Sequence, residues 1–148
     1  MNPVIRMFEY KDIERVYDLG IRVQEFSINK SEKYRFWPKE TLERFVKDRL
    51  SLVIEDDNLV VGFLLSVYQS VTKKLTWENM YIEPAYRERE LAANCFQKIW
   101  DLALERGANV AGCIVASDNI PPQMMLEKLG FINAGNFHWM LKFRDSNK

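Results

Sequence analysis

The stretch Met80–Phe96, MYIEPAYRERELAANCF, decides how the rest of the chain is read. It begins apolar and β-prone, and Pro84 stops that run, because proline removes a ladder donor. Arg87, Glu88, Arg89 and Glu90 follow, four charges of alternating sign, and an alanine-rich helical run opens at Leu91. Such a strand-to-helix loop has two readings. One is a solvated connection. The other is a phosphate cradle, because the first N–H groups of a helix lack internal partners and carry the positive end of its dipole.

Upstream, KLTWENMYIEP (Lys74–Pro84) reads as a strand, and SLVIEDDNLVVGFLLSVYQS (Ser51–Ser70) as two apolar strands around Asp56-Asp57-Asn58, residues that favour a hairpin turn. Downstream, the helix is expected from about Glu88 to Arg106. Leu91, Ala92, Cys95, Phe96, Ile99, Trp100 and Ala103 form its inner side, and Gly107 is its C-cap. NVAGCIVAS (Asn109–Ser117) reads as a buried strand and PPQMMLEKLG (Pro121–Gly130) as a short helix. FINAG (Phe131–Gly135) and FHWMLKF (Phe137–Phe143) read as two closing strands. At the other end, VIRMF (Val4–Phe8) predicts a strand. KDIERVYDLGIRVQEF (Lys11–Phe26) predicts a helix with Asp12 as N-cap, and WPKETLERFVKDRL (Trp37–Leu50) a second helix with Pro38 in its first turn. SINKSEKYRFW (Ser27–Trp37) has no clean period and reads as mobile or substrate-facing.

The resulting order, β-α-α-β-β-β-α-β-α-β-β, implies an α/β or α+β mixed sheet covered on both faces. The step through the long helix can be a parallel crossover. The 148 residues fit a single domain spanning 1–148, and 47% hydrophobic content supports a core. Lys plus Arg and Asp plus Glu both number 21, so nothing draws the chain generally to nucleic acid or to a membrane surface. One histidine and two cysteines make no zinc site of the usual kind, and no metal is expected. The cysteines lack paired spacing and the first residues lack a secretory pattern, which together predict a reducing, cytoplasmic setting.

In this order of elements the sequence resembles the GCN5-related N-acetyltransferase (GNAT) family. Two motifs carry the resemblance. In IEPAYRERELAANCF, Ile82, Pro84, Arg87, Leu91 and Ala92 match the family's strand end, proline and Arg/Gln-x-x-Gly-x-Gly/Ala loop. In NIPPQMMLEKLGF, Asn119, Glu127, Lys128, Leu129, Gly130 and Phe131 match a second pattern, and VVGFLL looks like the family's third strand. The resemblance implies the acyl-CoA N-acyltransferase fold, with about seven strands flanked by about four helices. It also implies acetyl-CoA as cosubstrate, held by Ile82, Arg87, Glu88, Arg89, Glu90, Leu91, Ala92 and Asn119. Two departures stand out. Glu90 occupies the place of the glycine that lets backbone approach the pyrophosphate. Leu126 stands where many members carry a tyrosine that protonates the departing thiolate. The degenerate loop is similar to that of GNAT-like proteins encoded by bacteriophages.

Among titratable groups, alternation sets Glu78 on one face with Met80 and Ile82. A carboxyl on an apolar face has a raised pKa, which suits a general base for an amine; an ordinary cleft carboxylate is the plainer reading. Asn119 suits both a helix N-cap and a coenzyme contact. Cys95 and Cys113 read as core, His138 as surface or interface, and Tyr34, Phe36 and Trp37 as an acceptor cleft or an interface. Two functions follow. One is N-acetyl transfer from acetyl-CoA to a primary amine, on a small molecule or a peptide, in a ternary complex. The other is a GNAT-like binding or assembly module without turnover, which Glu90 and Leu126 favour; a homodimer or larger assembly is compatible with either.

Overall fold

The computed structural model describes residues 2–87 and 90–144, except for the side chain of Asn29. The chain divides into two compact units, Met1–Ile114 and Val115–Lys148. The first unit holds a five-stranded sheet in the order β1-β2-β3-β4-β5. The strands are β1 (Val4–Met7), β2 (Leu52–Asp56), β3 (Leu59–Gln69), β4 (Lys74–Ile82) and β5 (Val110–Cys113). The first three pairings are antiparallel and β4–β5 is parallel. Between β1 and β2 lie α1 (Ile13–Gly20) and α2 (Lys39–Asp48), and α3 (Leu91–Glu105) links β4 to β5.

Local sequence explains these elements. Asp57 and Asn58 have φ of 50° and 63°, the left-handed pair that a two-residue hairpin of right-handed twist requires. β3 is buried on both faces over Phe63–Leu65, so its sequence is a continuous apolar run. On one face Phe63, Leu65 and Val53 join Val16 and Leu19 of α1 and Leu42 of α2. On the other, Trp77 of β4 packs on Phe96 of α3 with ring centroids 4.2 Å apart. At the end of α3, Gly107 N–H donates to Leu104 O and Ala108 N–H to Ala103 O, both at 3.0 Å, and Gly107 takes φ 99°. This double bond is the glycine stop the sequence predicts.

The second unit contains α4 (Ile120–Lys128), closed in the same way. Gly130 N–H donates to Glu127 O and Phe131 N–H to Leu126 O, each at 3.0 Å.

Several expectations need correction. The first helix stops at Gly20, and residues up to 30 continue as turns and two single 3-10 turns, Gln24–Phe26 and Ile28–Lys30. Asp12 makes no side-chain cap to α1; its carboxylate instead accepts from Arg6 and from the Glu9 N–H. α3 begins at Leu91 rather than Glu88, which lies outside the described residues. β5 is short and exposed at both ends rather than buried, because it closes the described sheet as an edge. FINAG and FHWMLKF form no ladder among the described residues, so the sheet has five strands and not about seven. Ile132, Phe137 and Met140 are correspondingly exposed. Among the described residues no helix is long and apolar enough to cross a membrane.

Candidate functional site

β4 has two halves. Lys74–Trp77 pair with Val110–Cys113, and the β5 ladder ends at Trp77 opposite Cys113. β4 itself continues to Ile82, so among the described residues Glu78–Ile82 have β3 on one side and no strand on the other. The β3 register also shifts here: Leu65 faces Asn79 and Ser66 faces Trp77, leaving Glu78 as the extra residue of a bulge. A bulge bends its strand and breaks the alternation of side chains. Trp77 accordingly packs on α3, whereas Asn79 bonds to Trp37 and Tyr81 lies by Phe63 on the α1–α2 face. The shared face expected for Glu78, Met80 and Ile82 does not follow, because simple alternation fails at the bulge.

Past the bulge the backbone has a defined polarity. Glu83 N–H donates to Val61 O at 2.8 Å, toward β3. In an antiparallel pair the next residue along turns its N–H and C=O to the opposite edge. Ile82 therefore aims both groups away from β3, and by the same alternation so does Met80. The Ile82 carbonyl is taken by the Arg87 side chain, whose Nε donates to it at 2.7 Å. The Arg87 guanidinium also lies 5.6 Å from the centre of the Tyr81 ring. Arg87 thus fastens the loop back onto β4.

The loop continues through the 3-10 turn Pro84–Tyr86 to Glu90, the N-cap residue of α3, at φ 62° and ψ 6°. Glu88 and Arg89 lie outside the described residues. Asn94 N–H makes the first helical bond, to Glu90 O at 3.0 Å, so the N–H groups of Leu91, Ala92 and Ala93 precede the ladder. They form the positive end of the helix dipole, and the first turn of α3 carries no acidic residue. A left-handed non-glycine residue is strained, and Glu90 stands where the family pattern has glycine. Replacing Glu90 by Gly is expected to stabilise the fold by about 0.5 kcal/mol, relief of strain outweighing glycine's greater unfolded freedom. It should also tighten acetyl-CoA binding by removing a carboxylate from this end of α3. Chemical denaturation and calorimetric titration check the two effects separately.

Glu78 is exposed on the bulge, yet the protein packed about its carboxyl raises it above the ordinary carboxylate range. Nearby, the Tyr81 hydroxyl donates to Glu83 Oε2 at 3.3 Å, and Glu83 Oε1 accepts from Arg15 at 3.4 Å. Burial first, then the Glu83 carboxylate, raises the Tyr81 phenol.

Residues 14–131 match the model of the acetyltransferase (GNAT) family. The chain belongs to the GNAT family. No curated protein sequence matches it. Its structure is similar to the aminoglycoside acetyltransferase AAC(6')-Iy in complex with a bisubstrate analogue, with TM-score 0.74, 15% identity and coverage of 97% of this chain and 99% of the other. The PaiA N-acetyltransferase from Thermoplasma acidophilum in complex with coenzyme A gives TM-score 0.72 and 17% identity over 86% of this chain and 88% of that one. The ribosomal-protein-S18-alanine N-acetyltransferase from Escherichia coli gives 0.70 and 21% over 90% and 80%. At these identities the structures support the GNAT fold and nothing finer.

Other sequence-selected residues distribute unevenly over this GNAT fold. Cys95 is buried on α3, and burial pushes its thiol up to about 12. Cys113 is exposed at the end of β5 and is not a core residue, because the strand stops there. Asn119 directly precedes α4 but makes no side-chain cap. Gln123 in the first turn of α4 ties the preceding loop to the helix, donating to Ala116 O at 2.9 Å and Ser117 O at 3.1 Å. Leu126 is buried and His138 is exposed. Among the described residues no group of three His, Cys, Asp or Glu side chains is placed to hold a metal. Two shallow grooves, one along Phe8, Tyr10, Lys11 and Arg49 and one along Arg6, Lys11, Arg15 and Glu55, lie by β1 and include no β4 residue.

Sequence reasoning missed the Trp37–Asn79 bond and the Tyr81–Glu83–Arg15 chain. Their partners lie 42 and 68 positions apart in the longest links, beyond any local pattern. The β4 bulge was equally hidden, since a register shift belongs to a pair of strands and not to either one alone.

Proposed function

We propose that the protein is an acetyl-CoA-dependent N-acetyltransferase acting on a primary amine by direct attack in a ternary complex. The observation that carries this reading is the open edge of β4 beside the N-terminus of α3, with the Ile82 N–H aimed into it. A pyrophosphate fits the N–H groups of Leu91, Ala92 and Ala93, which precede the helical ladder and need no particular side chain to bind it. The thioester carbonyl oxygen accepts from the Ile82 N–H, which stabilises charge as it develops on that oxygen. The amine nitrogen attacks the carbonyl carbon, the tetrahedral adduct collapses, and the C–S bond breaks to release CoA thiolate. The amine must have lost a proton first, and Glu78 accepts it. With Leu126 in place of a tyrosine, no side-chain acid at that position protonates the thiolate. None is required, because a thiol pKa of about 8.5, taking cysteine as guide, makes the thiolate a tolerable leaving group. The acceptor enters from the α1–α2 side, where Tyr34, Phe36 and Trp37 stand.

Calorimetric titration with acetyl-CoA tests the reading. Binding is expected, loosened by Arg87→Ala because the Ile82 carbonyl and the loop lose their clasp. Absence of heat at millimolar acetyl-CoA would transfer the case to a binding or assembly module. The base assignment has its own check. Burial raises Glu78, so as pH falls it gains a proton sooner than an ordinary carboxyl, and the active form is the ionised one above its pKa. Glu78→Gln should lower the rate and displace the pH–rate profile to more alkaline values, leaving acetyl-CoA affinity nearly unchanged. An identical profile in that variant removes Glu78 from the mechanism.

A further inference from the structure

Residues 21–37, between α1 and α2, contribute no strand to the sheet. Their backbone bonds are local, such as Phe26 N–H to Val23 O at 3.1 Å and Ile28 N–H to Tyr34 O at 2.9 Å. Side chains fasten the segment. Phe26 and Phe36 stack at 5.7 Å, and they lie 6.2 and 5.9 Å from Phe63 of β3. Gly20 has no side chain where the Phe36 ring passes, and a Cβ there would collide with it. The polar fastening is specific: the Trp37 indole N–H donates to Asn79 Oδ1 at 2.6 Å, and the ring itself sits 6.0 Å from Phe45.

Asn79 has a particular place. It follows Glu78, the residue the bulge leaves without a β3 partner, and precedes Met80, whose N–H faces the open edge. Indole nitrogen only donates and an amide oxygen only accepts, so the bond fixes which way the Asn79 amide turns. A side chain held at the second position of a bulge resists slippage of the strand by one residue, the change that would swap its faces.

We propose that Trp37 and Asn79 are a positioning pair: the indole N–H locks segment 21–37 to the Glu78 bulge, so that the acceptor side and the open β4 edge keep one register. The functional meaning of the pair rests on the acetyltransferase reading above, whereas the coupling itself is a property of the fold. Acceptor binding that orders segment 21–37 then also steadies Glu78 and the Met80–Ile82 edge.

Amide hydrogen exchange on the full chain tests the coupling. Trp37→Phe keeps a packed ring and removes only the donor. It should speed exchange about tenfold or more over residues 24–37 and also at Asn79 and Tyr81, whose N–H groups face β3. Asn79→Leu should do the same, and the double variant should go no further than either single one. Asn79→Asp keeps an acceptor and should stay close to the parent. Unchanged exchange in Trp37→Phe, acceleration confined to 24–37, or additive effects in the double variant would each overturn the proposal, since packing alone accounts for those results. With spermidine as the probe amine, Trp37→Phe should raise the amine KM while acetyl-CoA affinity holds. Failure of the parent to bind acetyl-CoA would overturn the acetyltransferase reading, and the exchange data would still decide the pair.

Discussion

Gly62→Ala is expected to cost about 2 kcal/mol of stability and to weaken acetyl-CoA binding at least tenfold. Gly62 on β3 faces Ile82 on β4. Because Glu83 bonds to Val61, the Gly62–Ile82 pair is of the non-hydrogen-bonded kind, in which the strands come closest. A Cβ on Gly62 would stand 2.8 Å from the Tyr81 carbonyl oxygen and 3.3 Å from the Ile82 Cα, with Ile54 Cδ1 at 3.1 Å. The first two are backbone atoms that cannot rotate aside. The strand must shift at the residue whose N–H is aimed along the open edge. The glycine in VVGFLL is therefore explained by space and not by backbone angle. Urea denaturation and titration with acetyl-CoA measure the two losses; a stable variant of parental affinity would show that β3 does not set the position of Ile82.

Arg6→Ala should destabilise the protein by about 3 kcal/mol, because it strands a buried carboxylate. Arg6 donates to both Asp12 oxygens at 2.8 Å and to both Glu55 oxygens at 3.2 Å. Asp12 is only 4% exposed, and its other bond is to the Glu9 N–H. Removing the guanidinium leaves that charge desolvated. Replacing Arg6 and Asp12 together by Met and Leu should restore most of the loss, since a matched apolar pair leaves nothing unpaired. The pH dependence has a defined sign. Arg6 holds the Glu55 carboxyl below its ordinary range by hydrogen bonding, so this group's contribution is present above its unfolded pKa and fades as pH falls through the folded one. Denaturation at neutral and at acid pH should show a smaller acid loss in Arg6→Ala than in the parent. Equal acid losses would assign the pH dependence to other carboxylates.

Both effects depend on residues whose roles were unevenly legible in sequence. The Asp57-Asn58 turn was readable because a two-residue hairpin demands left-handed residues at both positions, and both types tolerate it. The inner side of α3 was readable because one period specifies it: Leu91, Cys95, Phe96, Ile99 and Ala103 are all buried. Asp12 was misread, since a helix cap and an ion-pair partner look alike until Arg6 is placed beside it. Glu78 carries the raised pKa that its sequence setting suggests, but its face was not legible, because alternation cannot register an extra residue. Cys113 looked central to a strand that ends on it. The alternation in FHWMLKF is a genuine β signal in side chains, yet a strand also needs a partner ladder, and none forms among the described residues. Glu90 was the departure most visible in the sequence. Its left-handed backbone shows that the loop keeps the conformation glycine favours while carrying a glutamate.

Amide shift mapping of the 15N-labelled protein titrated with acetyl-CoA tests the central claim most directly. The account predicts that the N–H signals of Met80 and Ile82 move together with those of Leu91, Ala92 and Ala93, in one saturable transition. Shifts gathered instead around Tyr10, Lys11 and Arg49, or no shifts at saturating acetyl-CoA, would contradict it.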